Sequence, residues 1–176
     1  MKREKQRAAF TLLELLVVVG IIAILAGILL PMVGAAFRKA EQATARQAVH
    51  AIAAAIEQYQ VEYGKLPIAN DAQHGAVDGA ESHTDVMDAL MAKNDDANPK
   101  KIIFLQTEKT ITGSSYTDPW DEEYLVYLDK DYDQKTQYYT KLIPGVCVVV
   151  SKGRDKKEDT DNDLLRVDDV RSFGAQ

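Results

Sequence analysis

Oxygen-bearing side chains crowd one stretch of the chain near its C-terminal end. After Ser151 the sequence places Asp155, Glu158, Asp159, Asp161, Asn162 and Asp163 within a short polar segment. Ca²⁺ binds about six to eight oxygens from carboxylates, amides and backbone carbonyls, so these residue types suit it. Their spacing differs from that of an EF-hand, which alternates its acids, turns at a glycine and ends on a glutamate. The residues therefore indicate either a calcium loop or a solvated surface loop, and both interpretations stay open.

A single carboxylate, Glu14, stands near the start of a long apolar run, Phe10 to Phe37. From Leu15 to Phe37 no residue is charged, and a helix of about 20 residues crosses a ~30 Å hydrocarbon core. A carboxylate at the centre of a spanning helix costs about 2.5–3.5 kcal/mol on insertion scales, so it normally has a partner. A secretory signal peptide would have a shorter apolar core followed by a small-residue cleavage site. A plain signal anchor would explain the length of the run but not Glu14.

The other reactive residue types form no catalytic pattern. His50 falls on a predicted helix, whereas His74 and His83 lie in a predicted loop without metal-ligand spacing. Cys147 is the one cysteine, so an internal disulfide is impossible, and its apolar neighbours predict a buried side chain. Basic residues are scattered among more numerous acids, and the net charge of −6 disfavours a nucleic-acid surface. We therefore predict neither an enzyme nor a nucleic-acid-binding protein.

One long helix is predicted to include the apolar run and to continue beyond it. Arg38–Tyr63 contains no glycine or proline, and Gly64 then marks the end of the helix. Apolar residues recur there at steps of three and four, the period of an amphipathic helix: Val49, Ile52, Ile56, Tyr59 and Tyr63. The prediction is one helix over Phe10–Tyr63, membrane-spanning in its first half and amphipathic in its second. Pro31 is expected to bend it or melt it locally.

Short strands are predicted after the helix, and they would supply the surface that its amphipathic half needs. Ile68–Ser82 has the composition of a loop, and a short helix is predicted over Asp85–Met91. β-branched and aromatic residues predict strands at Tyr124–Leu128, Tyr138–Ile143 and Val146–Ser151. The predicted fold class is therefore α+β, with the long helix packed on a small antiparallel β-sheet.

The N-terminal pattern resembles the prepilin signature of type IV pilins and type II secretion pseudopilins. A basic leader, Met1–Ala9, precedes Phe10, with Glu14 shortly after it and Pro31 deeper in the apolar run. The resemblance implies that a membrane peptidase cuts between Ala9 and Phe10, where the family usually has Gly before the cut, and N-methylates Phe10. It also implies that Phe10, Glu14 and Pro31 serve assembly. Glu14 of an incoming subunit would meet the Phe10 amine of its neighbour.

Two later segments resemble major pseudopilins. Asp118-Pro119-Trp120 before a strand is similar to the family pattern, in which a glycine usually follows the tryptophan and Asp121 stands here. Ser151–Leu164 resembles the family's calcium loop, in which Ser-x-Gly-x-Asp is followed by an acidic closing triplet. On that alignment the implied calcium ligands are Asp155, Asp161 and Asp163.

The resemblance as a whole implies a pilin-like structural subunit of a type II secretion pseudopilus, a filament for protein export. Residues 1–9 would be the leader, 10–37 the membrane-spanning and assembly helix, and 38–176 the periplasmic domain. The implied partners are the prepilin peptidase, further copies, other pseudopilins and an inner-membrane secretion platform.

The basic leader predicts a cytoplasmic N-terminus and a single pass through the inner membrane. Two alternatives stay open: a type IV pilin for adhesion, motility or DNA uptake, and a membrane-tethered calcium-binding module that does not polymerise. The lone cysteine favours secretion, because many such pilins contain a paired-cysteine loop.

Overall fold

The computed structural model describes residues 11–68, 79–81, 83–106, 116–139, 141–157 and 170–172. Its first elements are helix α1 (Leu12–Tyr63), strand β1 (Gly79–Glu81) and helix α2 (His83–Leu90). The later strands are β2 (Leu125–Leu128), β3 (Lys135–Tyr138), β4 (Lys141–Pro144), β5 (Cys147–Ser151) and β6 (Val170–Arg171). The chain divides into two compact units, of which one ends at Ala40 and the other begins at Glu41.

The N-terminal part of α1 exposes its apolar side chains. Every large apolar residue from Leu12 to Phe37 that the structure describes is exposed, and the helix is long and apolar enough to cross a membrane. The backbone stays helical through Pro31, so the predicted local melting does not occur. A proline removes one backbone hydrogen bond, yet α1 is continuous across this position. Exposed apolar surface of this length suits a lipid environment or the packed helices of an assembly.

The C-terminal part of α1 is amphipathic, as predicted. Its buried face consists of Ala45, Ala48, Val49, Ile52, Ala55, Ile56 and Tyr59. Strands β2 and β5 contribute Val126, Leu128 and Val149 to the same core. The helix ends at Tyr63 and is followed by Gly64, whose φ of 68° lies in the left-handed region that favours glycine. The amphipathic half of the predicted helix thus has the sheet partner that its pattern requires.

The described strands form two antiparallel sheets. The larger has the order β1-β2-β5-β6, and β2 pairs with β5 from Leu125 opposite Val150 to Leu128 opposite Cys147. The smaller is the hairpin of β3 and β4. This register places the residues that follow β2 beside those that precede β5. The long helix and the small antiparallel sheets confirm the α+β, pilin-like fold class.

Three details differ from the predicted elements. The strand predicted over Tyr138–Ile143 is wrong, because Tyr139 takes a φ of 52° and turns the chain between β3 and β4. Strand β1 lies in a segment predicted as loop, where pairing with β2 outweighs a composition of small residues. Helix α2 begins at His83 rather than Asp85, so His83 is not a loop residue.

Candidate functional site

Glu14 and Thr11 form a capping box at the start of α1. The backbone N–H of Thr11 donates to Glu14 Oε2 at 3.0 Å, and the Glu14 N–H donates to Thr11 Oγ1 at 3.2 Å. The Thr11 hydroxyl also donates to Glu14 Oε2 at 3.0 Å. These reciprocal bonds satisfy N–H groups that have no acceptor within the helix. They also hold the Glu14 carboxylate against Thr11, at the first turn of the helix.

The capping box has a signal in the sequence that the prediction of a partner for Glu14 leaves out. A threonine followed three residues later by a glutamate, before an apolar run, is the signature of a capping box. Glu14 was predicted to need a partner from a neighbouring subunit, and within one chain Thr11 already supplies one. Ala9 and Phe10, the predicted processing residues, lie outside the described residues.

The predicted calcium loop is described only in its first part. Asp155 is exposed, and its Oδ1 accepts the Lys157 N–H at 2.9 Å, whereas Asp161 and Asp163 lie outside the described residues. Gly153, in the Ser-x-Gly-x-Asp segment, has a φ of 70°, a conformation that glycine adopts most easily. Of the three predicted calcium ligands, Asp155 alone lies in the part of the chain that the structure describes.

Two lysines of this loop make ion pairs with one carboxylate. Lys156 Nζ lies 3.2 Å and Lys152 Nζ 3.6 Å from the carboxylate oxygens of Glu122. The hydrogen bond from Lys156, with the charge of both lysines, lowers the pKa of Glu122. These contacts join the loop to the turn that follows Asp118.

The Asp118-Pro119-Trp120 segment is a hydrogen-bonded turn built around a buried carboxylate. Asp118 Oδ1 accepts the N–H groups of Trp120 and Glu122, each at 2.9 Å, and Oδ2 accepts the Ser151 hydroxyl at 2.6 Å. Asp121 takes a φ of 64°, the backbone conformation that suits the glycine usual at this place in the resembled pattern. Asp118 thus joins this turn to the end of β5, where the predicted calcium loop begins.

A second acidic cluster, which the prediction missed, follows β2. Asp129, Asp131 and Asp133 each place a carboxylate oxygen within 4.8 Å of the others. The signal in the sequence was their alternate spacing, as in the first half of an EF-hand loop. Gln134, with a φ of 67°, occupies the place of that loop's glycine.

The cluster has backbone partners of its own. Asp129 accepts the N–H groups of Asp133 at 3.2 Å and Gln134 at 2.8 Å, and Asp133 Oδ1 accepts the Lys135 N–H at 2.8 Å. Burial first, and then the hydrogen bond with Asp131, raises the pKa of Asp129 to about 6. The arrangement can hold a hard cation, and its hydrogen bonds also suffice to close the turn between β2 and β3.

An open groove of about 600 Å³ lies beside this cluster and is called here the acidic groove. It is lined by Glu57, Gln60 and Val61 of α1, by Asp129, Tyr132 and Gln134, and by Pro144, Gly145 and Val146. The side chain of Val61 is 88 % exposed. The groove thus combines carboxylates with exposed apolar surface.

The histidines and the cysteine do not meet at a common site among the described residues. His50 is exposed on α1, and His74 lies outside the described residues. His83 is buried with Nδ1 2.9 Å from the Tyr124 carbonyl oxygen, and desolvation lowers its pKa. Cys147 is half-buried rather than fully buried, and burial together with the charge of Glu57 raises its pKa to about 12. The thiol is therefore protonated at neutral pH.

Residues 5–30 match the family model of the prokaryotic N-terminal methylation motif. The match includes the Thr11–Glu14 capping box and most of the apolar run that follows it. No curated protein and no solved structure matches the chain significantly.

Proposed function

We propose that this chain is a structural subunit of a type II secretion pseudopilus. The premise is that residues 5–30 are the prepilin-like leader region of the type IV pilin and pseudopilin family. The leader implies processing by a prepilin peptidase and assembly into a filament. In this proposal the exposed apolar part of α1 lies in the inner membrane before assembly and packs against other copies in the filament. The unit that begins at Glu41 lies in the periplasm and forms the outer layer.

One observation carries the proposal: a carboxylate held at the N-terminus of an otherwise apolar, exposed helix. Glu14 Oε2 is bonded to Thr11, so the carboxylate is held at the first turn of the helix. Removal of the leader creates an α-amino cation at Phe10. A carboxylate and an ammonium in an apolar environment are stable only as a pair, because each is costly to bury alone. The pairing of Glu14 with the Phe10 amine of a neighbour would therefore select the correct register.

Processing is the first test of this function. The intact mass of the mature chain, expressed in a host with the peptidase, is expected to correspond to residues 10–176 with a methylated N-terminus. A chain that keeps residues 1–9 in that host, or one cut after Phe37, contradicts the proposal. A chain with Ala9→Gly, the residue usual in the resembled signature, is the matched control for the cleavage assay.

Assembly separates the proposal from its two alternatives. Expression with the other components of a secretion system is expected to yield short filaments and export of that system's cargo. Filaments that instead restore twitching or DNA uptake would favour a type IV pilin. A chain that stays monomeric in the membrane would favour a tethered module.

Calcium binding by Asp155, Asp161 and Asp163 belongs to the same proposal as its cofactor. It is supported by the density of carboxylates after Ser151 and by the resemblance of that segment to a calcium loop. The ion would stabilise the loop without taking part in assembly directly.

A further inference from the structure

We infer that a second copy of this chain docks at the acidic groove through Arg46 of its own α1, an inference that rests on the proposed filament. The groove presents Glu57 on α1 and the buried Asp129 beside it. Arg46 is exposed and forms no ion pair or hydrogen bond with the described residues. The unit that begins at Glu41 therefore offers carboxylates at the groove and a cation elsewhere along α1.

Arg46 and Glu57 lie on the same side of α1. With about 3.6 residues per turn, they are about three turns apart and point within about 20° of each other. At ~1.5 Å per residue the separation along the axis is about 16 Å, so the two charges do not pair within one chain. Both side chains are exposed, and neither lies on the face that packs on the sheet.

The groove remains acidic despite the two lysines near it. Lys130 is largely buried, and Lys135 Nζ lies 4.0 Å from Asp133. The negative charge of Glu57 affects at least one neighbouring group, because it contributes to the raised pKa of Cys147. A cation that reaches the groove would meet the exposed Glu57 and, among the other lining residues, the buried Asp129. The exposed Val61 would add apolar contact at the same surface.

Charge complementarity along one helix specifies a staggered neighbour. If two parallel copies are displaced by about 16 Å, Arg46 of one lies opposite Glu57 of the other. This contact joins different residues on the two copies, so each copy still offers a free groove or a free arginine. Repetition of such a contact without closure generates a helical filament. An antiparallel pair would also join the two charges, but two copies anchored in the same membrane direction cannot form it.

Charge reversal with the full chain tests the contact. Arg46→Glu and Glu57→Arg are each expected to lower the yield of sheared filaments at least fivefold, because like charges then face each other. The double variant is expected to return to within about twofold of the parent. Lys93→Glu, at an exposed position after α2, is the matched control and should leave the yield unchanged. Normal yields from both single variants, or a double variant no better than either, would overturn the inference.

Disulfide capture gives a second measurement that does not depend on charge. In a chain with Arg46→Cys and Glu57→Cys, and with Cys147→Ser to remove the native thiol near position 57, the two introduced cysteines are about 16 Å apart, beyond the ~7 Å that a disulfide spans. Any bond between them therefore joins two copies. Oxidation of membranes is expected to give a ladder of multimers, whereas monomers alone or closed dimers alone would overturn the staggered contact.

Failure of the proposed function and failure of this inference give different results. A parent chain that forms no filaments in a host with a complete secretion system contradicts the proposed function and this inference with it. Parent filaments without charge rescue and without the ladder contradict this inference alone.

Discussion

At the scale of single residues, Glu14 has a hydrogen-bond partner, Thr11, at the start of its own helix. A carboxylate without a partner is unfavourable in a membrane helix. The hydrogen bonds from Thr11 give the Glu14 carboxylate such a partner. The capping box also keeps the carboxylate at the helix end, where N–H groups without helical acceptors favour a negative charge. Assembly would then replace or extend an existing set of bonds rather than create the first partner.

Substitution of Glu14 is expected to separate insertion from assembly. Glu14→Gln and Glu14→Leu should both insert and be cut before Phe10, yet yield about tenfold fewer filaments or less. The reason is that a buried ion pair with one member removed leaves the other charge unpaired, at about 3–5 kcal/mol. Intact mass reports the cleavage, and immunoblotting of sheared filaments reports assembly. Thr11→Ser, which keeps the hydroxyl of the capping box, is the matched control.

A normal filament yield from Glu14→Leu would contradict the pairing with the Phe10 amine. It would favour a carboxylate that merely lies at headgroup level.

Asp129 is expected to make stability depend on pH. Its pKa is raised from 3.8 to about 6, so the folded chain binds this proton more tightly than the unfolded chain does. The resulting stabilisation is full below about pH 4 and is lost as the pH rises through about 6. In Asp129→Asn this loss between pH 4 and 7 should disappear, as measured by urea unfolding of the mature full chain in detergent.

Other groups also have shifted pKa values and therefore contribute to the pH dependence of stability. The contribution of Asp129 is obtained from the difference between the parent chain and Asp129→Asn. The lowered pKa of His83 acts with the opposite sign, since stability is lost as the pH falls below its usual range. His83 is unchanged in the variant and cancels in the difference. An identical pH dependence in parent and variant would contradict the assignment to Asp129.

At the scale of elements, Asp118 joins two turns that are distant in the sequence. It accepts two backbone N–H groups in its own turn and the Ser151 hydroxyl at the end of β5. Because β5 is a central strand of the larger sheet, this carboxylate anchors the start of the predicted calcium loop to the core. The loop therefore begins from a fixed point, whatever its later residues bind.

Asp118→Ala is expected to destabilise the chain strongly. The substitution leaves buried donors without an acceptor, and each such group costs about 1–3 kcal/mol, so a loss of roughly 3 kcal/mol or more is expected. Thermal or urea unfolding of the mature full chain in detergent measures it. Asp155→Ala, which removes an exposed carboxylate that accepts the Lys157 N–H, is the control and should stay within about 1 kcal/mol. Equal effects of the two substitutions would contradict the anchoring role.

At the scale of the whole molecule, the chain is a helix with an exposed apolar half and a folded unit that begins at Glu41. The exposed apolar half has no core of its own, so its stability depends on lipid or on other copies. The folded unit buries the amphipathic half of α1 against its sheet and needs no further copy for its core. Ligands of the folded unit are therefore expected to change its stability independently of assembly.

Calcium is expected to raise the melting temperature of the mature chain in detergent relative to chelator. At a free concentration a hundredfold above Kd, a single site stabilises the folded state by about 2.7 kcal/mol. Asp155→Asn should abolish the shift, and Asp131→Asn should preserve it. Identical midpoints with calcium and chelator would favour a solvated loop. If Asp131→Asn loses the calcium-dependent rise in melting temperature and Asp155→Asn keeps it, the ion binds at the cluster that follows β2.

The features that the sequence alone determined are those set by neighbours along the chain. Helix periodicity, the glycine that ends α1, the apolar length and the leader motif all depend on residues within a few turns of one another. The long helix, its two contrasting halves and the α+β class were therefore predictable. The Thr11–Glu14 capping box was predictable by the same local rule.

Only the tertiary structure decided the features that depend on residues far apart in sequence. Strand β1 forms because β2 lies beside it, and its small residues carry no strand signal of their own. The burial that raises the pKa of Asp129, and the groove between α1 and the turn before β5, arise from packing between distant segments. Local patterns specify which elements form, but burial and long-range pairing decide which charges face each other, because desolvation depends on the whole surrounding fold.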